Sequence, residues 1–390
     1  MVNRGALRLP DRTIHTHAAT QMPMTRVERR KVVLVTNIPA PYRVPVFNRL
    51  SLSPDFAFTI IFCALREPNR EWALPTLYCP HRVLRGRVHV RGDRYVHNNP
   101  DVVRHLGQLR PDVVITTGFN PTHLFAFAYA KLSGAVHVAM TDGTFESEKS
   151  LGEIHRLVRR FVYARSGAFI GASRGSTRLY LDYGVPERTI FQSPLAVDNA
   201  KFAQSANGGR DFDLMFCGQL IARKLPLFAL DVAERTSVVL GRSVTVLVVG
   251  AGPMQEEVVL RSKNVRGIRI TVFGQAPQEQ LPALYSRCKV LLFPTLQDPW
   301  GVVANEASAA GLPVLISPAA GAAGELVLHG VSGEILPLDP DAWATAAAAL
   351  LSDQEKWNQF SEAAKRQAQR FTFEAASRGI TDAIAFAINK

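Results

Sequence analysis

Cysteine is scarce in this chain: four among 390 residues, at positions 63, 79, 217 and 288, with neither the close pairing of a disulfide framework nor the spacing of a zinc site. A reducing cytoplasm is the expected setting, with all four thiols as small buried hydrophobes. Long apolar runs are also missing. Residues 113–130 carry no Asp, Glu, Lys or Arg, but Gly118, Asn120, Pro121 and His123 break them into strand, loop and helix, so no segment reads as a membrane span. Acids are short relative to bases, 33 against 45, a formal charge of +12. That surplus suits a nucleotide, an anionic lipid surface or nucleic acid, and does not choose between them.

A complete dinucleotide fingerprint is absent as well. Val244–Val249 reads as a strand followed by Gly250-Ala-Gly-Pro253, but Gln255 takes the place of the third glycine, and Arg269 and Ile270 stand about where a ribose-binding acid is expected. NAD chemistry is therefore not expected. What is present, 47% apolar and 20% charged residues, is ordinary globular composition, and the length implies two domains. Residues 1–30 have scattered Arg, Pro, His and Thr without periodicity or the apolar core of a signal peptide, and read as a disordered leader, with Met24 a possible true start.

The richest stretch is Leu291–Pro318, LLFPTLQDPWGVVANEASAAGLPVLISP. Leu291–Phe293 reads as a strand that Pro294 ends. Val302–Ala310 has helical spacing with small residues, Gly311 and Pro313 stop it, and Val314–Ile316 is apolar again. In such a βαβ unit the loop with Asp298 lies at the carboxyl ends of the strands, and the free N–H groups of the helix start attract anions such as phosphate.

The pattern D-P-W-G-x-x-x-N-E-A-x-A-x-G-x-P-V, from Asp298 to Val314, resembles the signature of retaining glycosyltransferases of GT-B fold in family 4, where a glutamate is commoner at the first acid. The resemblance implies that Asp298, with the turn at Pro299, Trp300, Gly301 and Val302, holds the donor sugar, while Glu306 holds the nucleotide ribose. Gly218-Gln-Leu-Ile-Ala-Arg-Lys224, after the strand Leu214–Cys217, resembles the family's Gly-Arg-Leu-x-x-x-Lys loop. Gln219 replaces the early arginine, and Arg223 beside Lys224 supplies the second cation. Two cations suit a leaving diphosphate whose charge rises as the glycosidic bond breaks. Gly252 and Gly274, at the ends of the next strands, are expected near the donor's nucleoside. Asp211-Phe-Asp213 and Asp339-Pro-Asp341 look like metal motifs, but the first precedes a strand opposite the ligand edge and the second caps a helix.

In the first half the likeness is topological. Lys31–Thr36 is a strand, and residues 37–43 form a proline-containing turn where relatives carry two glycines; Arg43 is expected to replace their backbone contact with a bond to phosphate or acceptor. Asp112–Thr116 and Ala135–Met140 are further strands. Asp142 stands where many relatives place a cleft histidine and is expected to bind a sugar hydroxyl, with His123 a second candidate contact. Ile154–Arg165 is a basic amphipathic helix, read either as packing Leu157, Val158, Phe161 and Val162 on the sheet or as lying on an anionic membrane. Ala206–Gly209 is expected to be a flexible interdomain loop, and Glu325 to cap or orient the region after it.

The expectation is an α/β chain of two Rossmann-like, doubly wound parallel-sheet domains facing a central cleft: leader 1–30, acceptor-side domain 31–198, nucleotide-sugar domain 199–370, and a last helix, 371–390, crossing back to the first domain. The implied function is retaining transfer of a sugar, UDP- or GDP-linked, to a saccharide or lipid-linked acceptor, with no metal and no cofactor. Nucleic acid is not an expected partner, and location is cytoplasmic, peripheral on the membrane's inner face. The alternatives are a sugar-nucleotide epimerase of the same fold or a catalytically silent binding module.

Overall fold

A computed structural model describes residues 29–68, 72–91, 94–149, 151–204 and 209–389. The expected leader, apart from Arg29 and Arg30, and the loop residues 206–208 lie outside the described residues. Among the described residues, nine strands belong to the first half: β1 Arg30–Thr36, β2 Phe56–Phe62, β3 His81–Val83, β4 Arg87–Arg91, β5 Arg94–Asn98, β6 Val113–Thr116, β7 Val136–Thr141, β8 Ala168–Gly171 and β9 Ile190–Gln192. All but β4 and β5 form one parallel sheet in the order β3-β2-β1-β6-β7-β8-β9. The pair β4 and β5 is a separate antiparallel hairpin that the sequence reading missed.

The second half repeats the design with β10 Phe212–Cys217, β11 Val244–Val249, β12 Ile268–Gly274, β13 Cys288–Phe293, β14 Val314–Ile316 and β15 Gly333–Ile335, all parallel, in the order β12-β11-β10-β13-β14-β15. That is the doubly wound order, whose crossovers reverse direction between β10 and β13. In the first sheet the reversal lies between β1 and β6.

Both sheets are covered on both faces, which is why their strands read as continuous apolar runs rather than alternating ones. Along β1, Val32 and Leu34 enter one core and Val33 and Val35 the other. Along β10, Leu214 and Phe216 face one core while Met215 and Cys217 face the other.

The chain then returns. The helix Phe373–Ile388, capped by Thr372, buries Ala376, Ile380, Ala383 and Ile384 in the core of the first sheet. Among the described residues no helix is long and apolar enough to cross a membrane.

Candidate functional site

The reversal point of the second sheet gathers the residues with the sharpest chemistry. After β10 the chain makes a short helical turn, Ala222–Lys224, and Leu225 takes a left-handed conformation, φ 51°, before Pro226 opens the next helix. A left-handed leucine costs on the order of 1 kcal/mol. What it secures is direction: the Lys224 ammonium turns back and forms an ion pair with the Asp298 carboxylate, and Arg223 Nη1 stands 3.9 Å from the same oxygen. Lys224 also lies 4.9 Å from the Phe293 ring centre. The two loops are wired together besides, since the Arg223 carbonyl accepts from the Leu296 N–H (2.9 Å) and the buried Thr295 hydroxyl (3.1 Å).

Asp298 is held on every side. Its N–H donates to the Ala319 carbonyl and its own carbonyl accepts from the Gly321 N–H, so the segment after β14 pairs with the acidic turn. The other carboxylate oxygen accepts the Trp300 N–H at 3.1 Å. Gly301 follows with φ 96°, and a Cβ there would meet the Phe293 ring at 2.2 Å, so only glycine closes this turn. The helix Val302–Ala309 starts directly after it, and its first N–H groups have no carbonyl of their own helix to serve them. Two cations, one carboxylate and a helix start are thus brought together.

Several expectations need correction on geometric grounds. Trp300 does not present its ring to a ligand: it is 1% exposed, donates its indole N–H to Asn305 (2.6 Å) and packs on Phe371. Its backbone N–H is taken by Asp298, and Pro299 has none, which leaves Gly301 and Val302 as the turn's available amides. A Cβ at Gly252 would lie 2.5 Å from the Leu220 carbonyl, so glycine is what lets these two loops approach each other. Nothing crowds Gly274 in the same way, nor Gly218.

Glu306 is 5% exposed and accepts a 2.7 Å bond from the buried Tyr285 hydroxyl. Burial pushes its carboxyl up to about 7, against the opposing pull of the Tyr285 and Gln278 bonds. Sequence reasoning missed Tyr285, Thr295 and Ser317; the last bonds Thr295 through both N–H and carbonyl. Hydroxyls inside apolar runs carry no pattern that announces a partner.

At the first sheet's reversal point, Asn120 reaches Asn37 at 3.3 Å. Arg43 does not stand free for phosphate. It is buried, forms an ion pair with Asp142 and lies 3.4 Å from both the carbonyl and the hydroxyl of Ser193. Asp142 itself stays 44% exposed. His123 is 1% exposed beneath the Gly118 turn, and burial lowers it to about 3, so the imidazole is neutral.

Across the halves, Glu325 accepts from the Arg174 N–H at 2.9 Å, at the first turn of the helix Arg174–Asp182; it steadies a helix of the other half rather than its own region. Asn305 donates to the Leu195 carbonyl at 3.2 Å. The two Asp-x-Asp sequences are structural: Asp213 pairs with Arg242 and Lys289, Asp211 with Arg287, and Asp339 caps the helix Pro340–Ser352.

Residues 197–367 match the sequence profile of the family described as Glycosyl transferases group 1. The D-inositol 3-phosphate glycosyltransferase of Corynebacterium urealyticum is 33% identical over 107 residues, 27% of this chain and 25% of the relative. The glycogen synthase of Mycobacterium tuberculosis is 28% identical over 189 residues, 47% of this chain and 44% of that protein. The matches thus span a quarter to under half of these relatives' length. The crystal structure of Anabaena HepE with UDP and glucose superposes with a TM-score of 0.72 at 16% identity, covering 92% of this chain and all of that one. The sucrose-phosphate synthase of Thermosynechococcus elongatus does so at 0.64 and 15%, covering 93% of this chain and all of that one. The chain has the two-sheet GT-B fold of these solved structures, and residues 197–367 are similar to the Glycosyl transferases group 1 family.

Proposed function

We propose that this chain moves a sugar from a nucleoside diphosphate sugar to a saccharide or lipid-linked acceptor, with retention at the anomeric carbon and without a resident metal or cofactor. The observation that carries the reading is the convergence of Lys224, Arg223 and Asp298 beside the start of the helix Val302–Ala309. The donor diphosphate takes Lys224 and Arg223 as counter-ions, and the Gly301 and Val302 amides complete its cradle. Competition for Lys224 releases Asp298 to accept from sugar hydroxyls. As the bond from the anomeric carbon to the diphosphate oxygen breaks, charge gathers on that oxygen, and the fixed cations stabilise it at little reorganisation cost. The acceptor oxygen forms the new bond on the same face and its proton passes to the leaving phosphate. Glu306 receives the ribose after Tyr285 or Gln278 yields a bond, and Asp142, whose side chain is 44% exposed, receives an acceptor hydroxyl.

Several of the similar structures support the donor class: HepE was solved with UDP-glucose, and a pneumococcal O-GlcNAc transferase with UDP and GlcNAc. The test is product analysis with labelled UDP- and GDP-sugars, with and without acceptors, in the presence of a chelator. Product that needs both substrates and keeps the donor's configuration is expected; conversion of donor alone, or activity restored only by added metal, contradicts the proposal.

A further inference from the structure

The helix Glu153–Tyr163 splits the side expected to pack on the sheet. Val162 is buried and Val158 half-buried, yet Ile154, Leu157 and Phe161 are 78%, 66% and 51% exposed. Spaced at i, i+3 and i+7, they form one outward stripe. The neighbouring helix Pro121–Ser133 does the same with Phe125 and Leu132, the latter 90% exposed. These helices touch through the Phe127 and Phe161 rings and through Lys131, whose ammonium donates to the Arg165 carbonyl at 2.7 Å, so the two stripes lie side by side. A third helix, Val102–Leu109, extends the face with Val103, across a groove that Tyr129 also lines.

Charge around this face has one dominant sign. Arg160 is one helical turn from Leu157 and borders the stripe, the Arg165 guanidinium stacks 3.9 Å over Phe161, and Lys131 lies in the seam. Arg159, by contrast, is turned inward and paired with Glu148, so it belongs to the fold. Exposed apolar side chains bordered by cations fit the boundary between anionic headgroups and acyl chains, where each component gains from its own layer. Both helices follow strands of a parallel sheet, so their first turns, one of them with Ile154, lie toward the carboxyl edge of that sheet.

We propose that the outer face formed by the helices Pro121–Ser133 and Glu153–Tyr163 docks on an anionic phospholipid surface, with Ile154, Leu157, Phe161 and Leu132 inserted and Lys131, Arg160 and Arg165 at the headgroups. The inference does not depend on the transfer reaction. Flotation of the full chain tests it, with vesicles of equimolar phosphatidylcholine and phosphatidylglycerol against vesicles of phosphatidylcholine alone. The wild type binds the mixed vesicles at least about tenfold better than the neutral ones, and added salt weakens binding. The double change Leu157→Asp and Phe161→Asp, at solvent-facing positions whose thermal melting checks the fold, loses binding by about tenfold or more, as does Arg160→Glu. Val238→Asp, at an exposed position on the other half, leaves it unchanged. Equal binding to neutral vesicles, binding unaffected by the substitutions, or a concentration-dependent dimer that these substitutions abolish in place of vesicle binding would each overturn the proposal.

Discussion

The two reversal points of this molecule share a topology and differ in how they use charge. In the second half, Lys224 and Asp298 pair with Arg223 nearby, on loops whose other atoms are committed to backbone bonds, and a helix start opens beside them. In the first half, Arg43 and Asp142 pair, but the arginine is buried and anchored to Ser193, which belongs to the segment leading out of the first domain. One pair has cations a ligand can recruit; the other has a cation the fold has already used. A shared sheet order therefore fixes where sites can lie and leaves their chemistry to individual side chains.

The largest expected effect separates the pairs most sharply. Lys224→Ala removes a fixed cation from the departing diphosphate and should lower kcat by about 10²–10³, roughly 2.7–4 kcal/mol; melting should fall as well, because the enclosed Asp298 carboxylate keeps only Arg223, 3.9 Å away, as a counter-ion. Arg223→Ala, at a more exposed side chain, should cost less. Steady-state kinetics beside thermal melting checks this, and wild-type turnover in Lys224→Ala would end the claim that the second pair is the chemical one. Asp142→Asn should spare kcat. It removes the counter-charge of buried Arg43 and leaves it only uncharged oxygens, the Asn amide and the two of Ser193, so melting should fall by several degrees, an effect of about 1–2 kcal/mol once the exposure of Asp142 is allowed for. Acceptor KM should rise while affinity for the free nucleoside diphosphate holds. A hundredfold loss of kcat with unchanged melting would reverse the comparison.

Glu306 gives a subtler test, confined to the second half. Its carboxyl in the empty protein titrates at about 7, raised by burial, and ribose hydroxyls donating to the carboxylate would favour the charged form. Nucleoside diphosphate affinity should therefore weaken as pH falls below about 7, by at most about tenfold per pH unit. Calorimetry in buffers of different ionisation heat would register the proton released on binding, and Glu306→Gln should abolish both signals. The sign for folding is opposite. Because the folded value lies above the unfolded reference of 4.5, the stability tied to this proton is fully present below pH 4.5 and is lost as pH rises through about 7. Affinity independent of pH in the wild type would remove Glu306 from the ribose.

The sequence by itself determined a good deal here. Buried strands of a doubly covered parallel sheet are nearly pure apolar runs, so Val244–Val249 and Val314–Ile316 were legible to the residue, and the helix after Gly301, marked by small residues between two glycines, to within one residue at its end. The cation pair and its acid were legible because their loop spacings recur in a known family. What sequence could not give was direction. Period 3.6 says that Leu157 and Phe161 share a face with Ile154, but not whether that face meets the sheet or the solvent, and the answer was solvent. It named Trp300, Arg43 and His123 by position alone, and packing buries all three side chains. The hairpin β4–β5 escaped because its polar, arginine-rich strands resemble loop composition. Local pattern records which residues leave water together; only the tertiary structure decides what they leave it for, because burial and ion pairing are settled by neighbours that the sequence separates by 74 residues for Lys224 and Asp298 and by 99 for Arg43 and Asp142.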